Sequence, residues 1–166
     1  MKNQVAAIIV SALLLGGCGM TMGPAFQAGA NKPERGRALV YVYRNKTFIG
    51  IANADVPIMH LDGRRIGRIR ISGHLAIPVS PGTHTLTTTE SLLGGDTSRV
   101  RGQTTFTVAA GSTVYLRYTE RIASMTPIIT PVVTVIHTTG EYRFEAVPET
   151  EALKELADTT VLDVER

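Results

Sequence analysis

The chain has a single cysteine, Cys18, among 166 residues. A disulfide framework and a cysteine-rich metal site are therefore both excluded, and the fold must be held by its core alone. Charge of one sign is also scarce. Seventeen basic residues face fourteen acidic ones, a net charge of +3, where a nucleic-acid binder carries a much larger basic excess. No H-E-x-x-H is present to set two zinc ligands on one helix face, and no G-x-S-x-G to expose a nucleophilic serine. The four histidines, at 60, 74, 84 and 137, include no pair at the short spacing of a metal site. His84 reads instead as a local hydrogen-bonding or packing residue. Asp62 and Glu90 cannot be set against each other from sequence, so no catalytic, cofactor-binding or metal residue is assigned. The longest apolar run near the N-terminus, Val5–Leu15, has eleven residues, too few to span a bilayer.

That run is nonetheless informative. It follows Lys2 and ends on Leu15-Gly16-Gly17-Cys18, the order of a secretory leader with small residues before a cleavage point. The tetrapeptide resembles the lipobox of bacterial lipoproteins. The resemblance implies cleavage between Gly17 and Cys18, and acylation of the Cys18 thiol, which takes that thiol out of redox and nucleophilic chemistry. Residues 1–17 are then a signal peptide, and losing Lys2 leaves 16 basic against 14 acidic residues. Gly19, in place of an aspartate, implies sorting to the outer membrane, facing the periplasm. From Cys18 to Gly36 the chain is rich in Gly and Pro without a period, which predicts a flexible tether with a reach on the order of 60 Å.

After the tether, strand signals dominate. Arg37–Arg44 is rich in Val and Tyr and apolar on both faces, as a central strand requires. Val56–Leu61, the R-I-G-R-I-R-I stretch, His74–Ser80 and the threonine-rich run from Gly82 follow. In three stretches one face is clear: Leu75, Ile77 and Val79; Thr104, Phe106 and Val108; Val114, Leu116 and Tyr118. P-V-V-T-V-I-H and Y-R-F-E-A-V read as two further strands. Turn signals fall at Asp62-Gly63, Ser72-Gly73, Pro81-Gly82, Ala110-Gly111 and Thr139-Gly140. Short strands at this spacing predict an all-β sandwich or small barrel over residues 37–160, with a tail at 161–166. One short helix is expected in P-E-T-E-A-L-K-E-L-A-D, with Ala152, Leu153, Leu156 and Ala157 on the docking side.

The stretch Leu61–Leu86 holds four arginines in seven residues and two histidines. No glycine in it precedes a helix, so a phosphate-cradling loop lacks its context. Asp62-Gly63 and Pro81-Gly82 read as tight turns. Strict alternation sets Ile66 opposite Ile69 and Ile71, whereas a bulge at Gly67 would return all three to one face and leave the arginines in water.

R-A-L-V-Y-V-Y-R, L-D-G-R-R-I-G, S-G-H-L-A-I-P-V-S-P-G-T-H-T-L, T-F-T-V-A-A-G-S-T-V-Y-L-R-Y and E-A-V-P-E-T-E-A-L-K-E-L stand in that order between Arg37 and Leu156. Together they resemble a family of bacterial lipoproteins designated domain of unknown function 2846. The D-G turn, P-G-x-H and the glycine-turned V-Y-L-R strand are also similar to PEGA-type modules of surface proteins. The resemblance implies an immunoglobulin- or prealbumin-like sandwich and brings no catalytic residues. The long R-I-A-S-M-T-P-I-I-T-P-V-V-T-V-I-H-T-T-G-E-Y segment departs from the simplest pattern.

Two segments are candidate recognition surfaces: a basic hairpin loop at Ser91–Gly102, and Ser124–Val133, apolar and expected to be irregular, which could dock a partner or membrane or pack on its own sandwich. The expected function is a lipid-anchored, non-enzymatic envelope module. It would be joined to the membrane through Cys18 and meet a protein or glycan partner without nucleic acid or cofactor. An accessory subunit of a secretion or transport complex, or a metal-dependent envelope enzyme, are the alternatives.

Overall fold

The structure is a computed structural model that describes residues 23–46, 56–92, 95–129 and 134–165, with side chains apart from those of 92 and 121–140. The strands are β1 (Ala38–Arg44), β2 (Ile58–Leu61), β3 (Arg64–Arg68), β4 (Gly73–Val79), β5 (Gly82–Leu92), β6 (Gly95–Val108), β7 (Thr113–Ile129), β8 (Thr134–Ala146) and β9 (Thr160–Val161). One helix, α1 (Glu149–Leu156), lies between β8 and β9. They form an all-β sandwich of two sheets, ordered β8-β7-β1-β4-β9 and β3-β2-β5-β6.

β1 is the middle strand of the larger sheet, antiparallel to β4 and parallel to β7, and every one of its residues is buried. Its alternation explains why. Ala38, Val40 and Val42 face the second sheet and pack with Met59, Ile66, Ile69, Leu75, Leu86 and Leu116. Leu39, Tyr41 and Tyr43 face outward and are covered by Ala152 and Leu156 of α1 and by Phe26. A strand buried on both faces must be apolar on both, because successive side chains point to opposite sides.

Asp62 and Gly63 are the corner residues between β2 and β3, with φ of 51° and 79°, the positive values that a two-residue hairpin turn requires. Three residues on, Ile66 is the extra residue opposite Met59 and His60. Gly67, at φ 145°, lies where an added Cβ would come within 3.0 Å of the Asp163 carbonyl oxygen. The bulge brings Ile66 and Ile69 into the core, while Ile71 lies beyond the end of β3, half-buried.

Three expectations are corrected. Thr139-Gly140 is no turn: β8 runs through it, with Gly140 opposite Ile122. Ser124–Ile129 is not irregular but continues β7 against β8. Pro127 is tolerated there because β1 pairs with β7 only as far as Arg117, so a missing N–H need break no second ladder. Of the Ser91–Gly102 segment, Ser91, Leu92 and 95–102 are strand as well, with Ser91 opposite Asp96 and Leu92 opposite Gly95.

Both chain ends add to the sandwich. Phe26 donates its backbone N–H to Thr159 and Val161 donates to Pro24, so the stretch expected as free tether is docked from Gly23. The Phe26 ring supplies the reason, lying edge-on to Tyr41 and His74 at 5.8 and 5.4 Å. Beyond β9, Leu162 donates to His74 and Glu165 to Ile66. The last residues thereby cross from one sheet to the other, and Leu162 and Val164 cover the open side of the core.

Candidate functional site

The strand registers give the sandwich two poles. At one lie the Asp62-Gly63 corner, the Pro81-Gly82 bend and the turn at Gly111 (φ 77°), whose N–H donates to the Arg37 carbonyl. There His84 Nδ1 is 2.7 Å from Asp62 Oδ2 and His84 Nε2 is 2.8 Å from the Ser80 carbonyl. The other Asp62 oxygen accepts from the Thr85 N–H at 2.8 Å. Both partners of the ring are acceptors, so the arrangement favours the imidazole with both nitrogens protonated. The hydrogen bond to Asp62 raises the His84 pKa, and the same bond lowers that of Asp62. The pair thus locks one hairpin turn onto the next. A shallow cavity of about 360 Å³ beside it is lined by Leu61, Arg64 and Glu165 among others.

The other histidines lie apart from this pair. His74 is 1% exposed, bonded through Nδ1 to Thr159 Oγ1 at 2.8 Å, and burial lowers its pKa. Since Thr159 donates onward to the Leu156 carbonyl, it accepts from a neutral His74. His60 shares Nε2 between Asp96 Oδ2 at 2.9 Å and Thr89 Oγ1 at 3.1 Å. Among the described residues no three His, Cys, Asp or Glu are grouped to hold a metal ion. Cys18, Gly17 and the leader lie outside the described residues, as does the His137 side chain.

At the opposite pole the sheets continue as the β5–β6 and β7–β8 hairpins. Here stand two arrangements that no sequence signal pairs. Arg44 pairs with Glu120 at 2.6 Å between the sheets, with side-chain exposures of 4% and 8%, and lies over the Tyr118 ring. Arg101 binds Glu90 on β5 and donates to the Tyr142 hydroxyl on β8 at 2.5 Å, its guanidinium 4.9 Å from that ring centre. One arginine therefore ties the second sheet to the first. The partners stand 11 and 41 positions away, so no spacing in the sequence could pair them. The one signal was Arg44 itself, a cation ending a strand otherwise apolar on both faces.

On the outer face of the larger sheet, Arg117 reaches Glu145 at 2.9 Å, Glu151 at 3.1 Å and Glu155 at 2.6 Å. Hydrogen bonding to Glu145 leads the causes that raise its pKa. Tyr43 donates to Glu155 at 2.5 Å and Tyr115 to Glu149 at 3.1 Å. Burial, then Glu149, pushes the Tyr115 hydroxyl up to about 12. These contacts hold α1 to the outer face of the larger sheet.

The described residues form a braced sandwich with two projecting hairpins. No curated protein and no solved structure matches the chain. A family profile described as a protein of unknown function matches residues 34–130, from just before β1 to the end of β7. That is more than half of the sequence, and the chain belongs to this family, DUF2846.

Proposed function

We propose that this protein is a lipid-anchored, non-enzymatic module of the bacterial envelope. Its lipid would sit in the outer membrane, and the sandwich would meet a protein or glycan partner in the periplasm. The observation that carries the reading is Leu15-Gly16-Gly17-Cys18 directly after an eleven-residue apolar run. The docked N-terminal stretch supports it. Pro24, docked on Val161, stands six positions past Cys18, so an acyl chain there would hold the sandwich near the bilayer. The mechanism is localisation: a fixed position raises the effective concentration of the domain toward anything else at that surface.

The test compares the full chain with a Cys18→Ala variant expressed in a bacterium. The parent is expected in the membrane fraction, with an N-terminal peptide mass matching an acylated Cys18, and the variant in the soluble periplasmic fraction. A variant that stays with the membrane would sink the anchor. Crosslinking in cells then reports the partner class. Capture of subunits of one secretion or transport complex would favour the accessory-subunit reading.

A further inference from the structure

The docking of the N-terminal stretch gives the chain before it a direction. Ala25 bridges Thr160 antiparallel, Phe26 donates to Thr159 and Val161 donates to Pro24. β9 runs parallel to β4, whose last residue, Val79, lies at the turn pole. Traced back from Phe26 to Pro24, the chain therefore heads for the turn pole. Val161 is opposite His74, and His74, Tyr43 and Arg117 stand side by side across the larger sheet. Pro24 lies level with that row. From His74 to Val79 the strand extends about 17 Å, and the chain from Cys18 to Pro24 spans at most about 20 Å. In the other direction β7 continues from Arg117 to Ile129, about 40 Å at the rise of a strand. Cys18 can reach the turn pole and cannot reach the far end of β7.

The chemistry of the turn pole fits a lipid surface. Arg64 opens β3 beside the Asp62-Gly63 corner, and the Arg37 N–H donates to the Glu34 carbonyl, which folds Arg35 into the neighbouring turn. Arg35, Arg37 and Arg64 are all exposed. The Arg37 guanidinium donates to the Pro78 carbonyl at 2.7 Å, which leaves its charge unopposed by a carboxylate. Of the nearby acids, Asp62 is held by His84 and Glu165 by Arg65, and Glu34 is set against the three arginines. Among the described residues the exposed large apolar side chain is Val100, on β6 toward the other pole. Cations and turns without an apolar patch suit a headgroup layer rather than an acyl core, and the guanidinium fork matches phosphate oxygens.

We propose that the turn pole of the sandwich rests on the headgroup layer of the membrane that holds Cys18, with Arg35, Arg37 and Arg64 meeting the phosphates of anionic phospholipids. This rests on the anchoring reading above and adds an orientation to it. The β5–β6 and β7–β8 hairpins then point away from the bilayer, toward a partner in the periplasm.

The test uses the full lipidated chain, purified from bacterial membranes and placed in phosphatidylethanolamine–phosphatidylglycerol vesicles with nitroxides on the headgroups. With Cys18 acylated, an introduced cysteine is the one free thiol. A fluorophore is attached in Ala110→Cys, at the exposed turn before Gly111, or in Val100→Cys on β6. The Ala110 probe is expected to lose most of its emission and the Val100 probe to keep it. Arg35→Gln combined with Arg64→Gln is expected to restore much of the Ala110 emission, as is replacing phosphatidylglycerol by phosphatidylcholine. An Ala110 probe that stays bright while the protein remains on the vesicles would overturn the contact and leave the anchor standing. Quenching that neither charge removal changes would overturn the arginine–phosphate contact. Labelling of Cys18 itself would overturn the anchor, and the orientation with it.

Discussion

At the scale of single residues, His84 and His74 carry opposite pH dependences. The bond to Asp62 raises the His84 pKa above its ordinary value. Its stabilisation is therefore complete below the unfolded imidazole value and lost as pH climbs through the raised one. Asp62 is depressed, so its share is present above the ordinary carboxylate value and lost as pH falls through the lowered one. The pair should contribute most in weakly acidic solution. Asp62→Asn is expected to cost about 1 kcal/mol there, since Asp62 is half exposed. The cost should shrink toward alkaline pH, and thermal melts of both proteins across pH read the difference. A cost that grows with pH would show that the lock is not ionic. His74 works the other way: burial lowers its pKa, so the unfolded chain binds the extra proton and acid destabilises the fold. At the other pole Glu120→Ala should cost about 3–5 kcal/mol, by leaving Arg44 buried without its carboxylate. Chemical denaturation would measure that loss. The D-G and P-G-T-H signals were legible in the sequence as turns. Their union through Asp62 and His84 was not, because 22 residues separate the two side chains.

At the scale of elements, α1 is short and depends on its dock. Eight residues form no stable helix in isolation, and Ala152 and Leu156 are fully buried against Tyr41, Tyr43 and Tyr115. Leu156→Ala is expected to cost about 2–5 kcal/mol, read as a lower denaturant midpoint with an unchanged slope. The N-terminal strap is held more lightly, by a single bridge at Ala25 and by Phe26. A side chain at Gly23 would collide with the Val161 carbonyl oxygen. Gly23→Val should therefore expose residues 24–36 to limited proteolysis while the sandwich stays folded. Resistance equal to the parent would show that the strap is not held there. Helix and strap were unequally legible. The apolar spacing of α1 is a periodic signal, whereas one phenylalanine in a glycine-rich run carries none. The long hairpin was misread for a related reason. Pro127 and Thr139-Gly140 are turn chemistry in most contexts; Pro127 fits a strand because β1 pairs with β7 only as far as Arg117, and Thr139-Gly140 because β8 is the outer strand of its sheet.

At the scale of the whole molecule, the family match ends at residue 130, but the fold does not. β8 pairs with β7 along its length, α1 covers the tyrosines of the outer face, and the segment after β9 closes the side of the core. A chain cut to residues 34–130 would expose Tyr41, Tyr43, Tyr115 and the core edge to water. It is expected to aggregate or remain unfolded, whereas residues 23–166 should show a cooperative melt. Circular dichroism and light scattering of both would decide it, and a cooperative melt of the shorter chain would place the folding unit within the matched region.

Local order was written in the sequence. Alternation marked most of the strands and the inward faces of β4, β6 and β7, and paired turn residues marked the corners. An apolar run before a lone cysteine set the expectation of an anchor. These signals are short-range, arising from backbone geometry and from which neighbours must share a face. The tertiary structure alone decided which strands adjoin, that Pro24–Phe26 and the segment after β9 dock, and where Arg44 and Arg101 find their carboxylates. Such pairings follow from packing two twisted sheets face to face, and no local propensity records a partner tens of residues away.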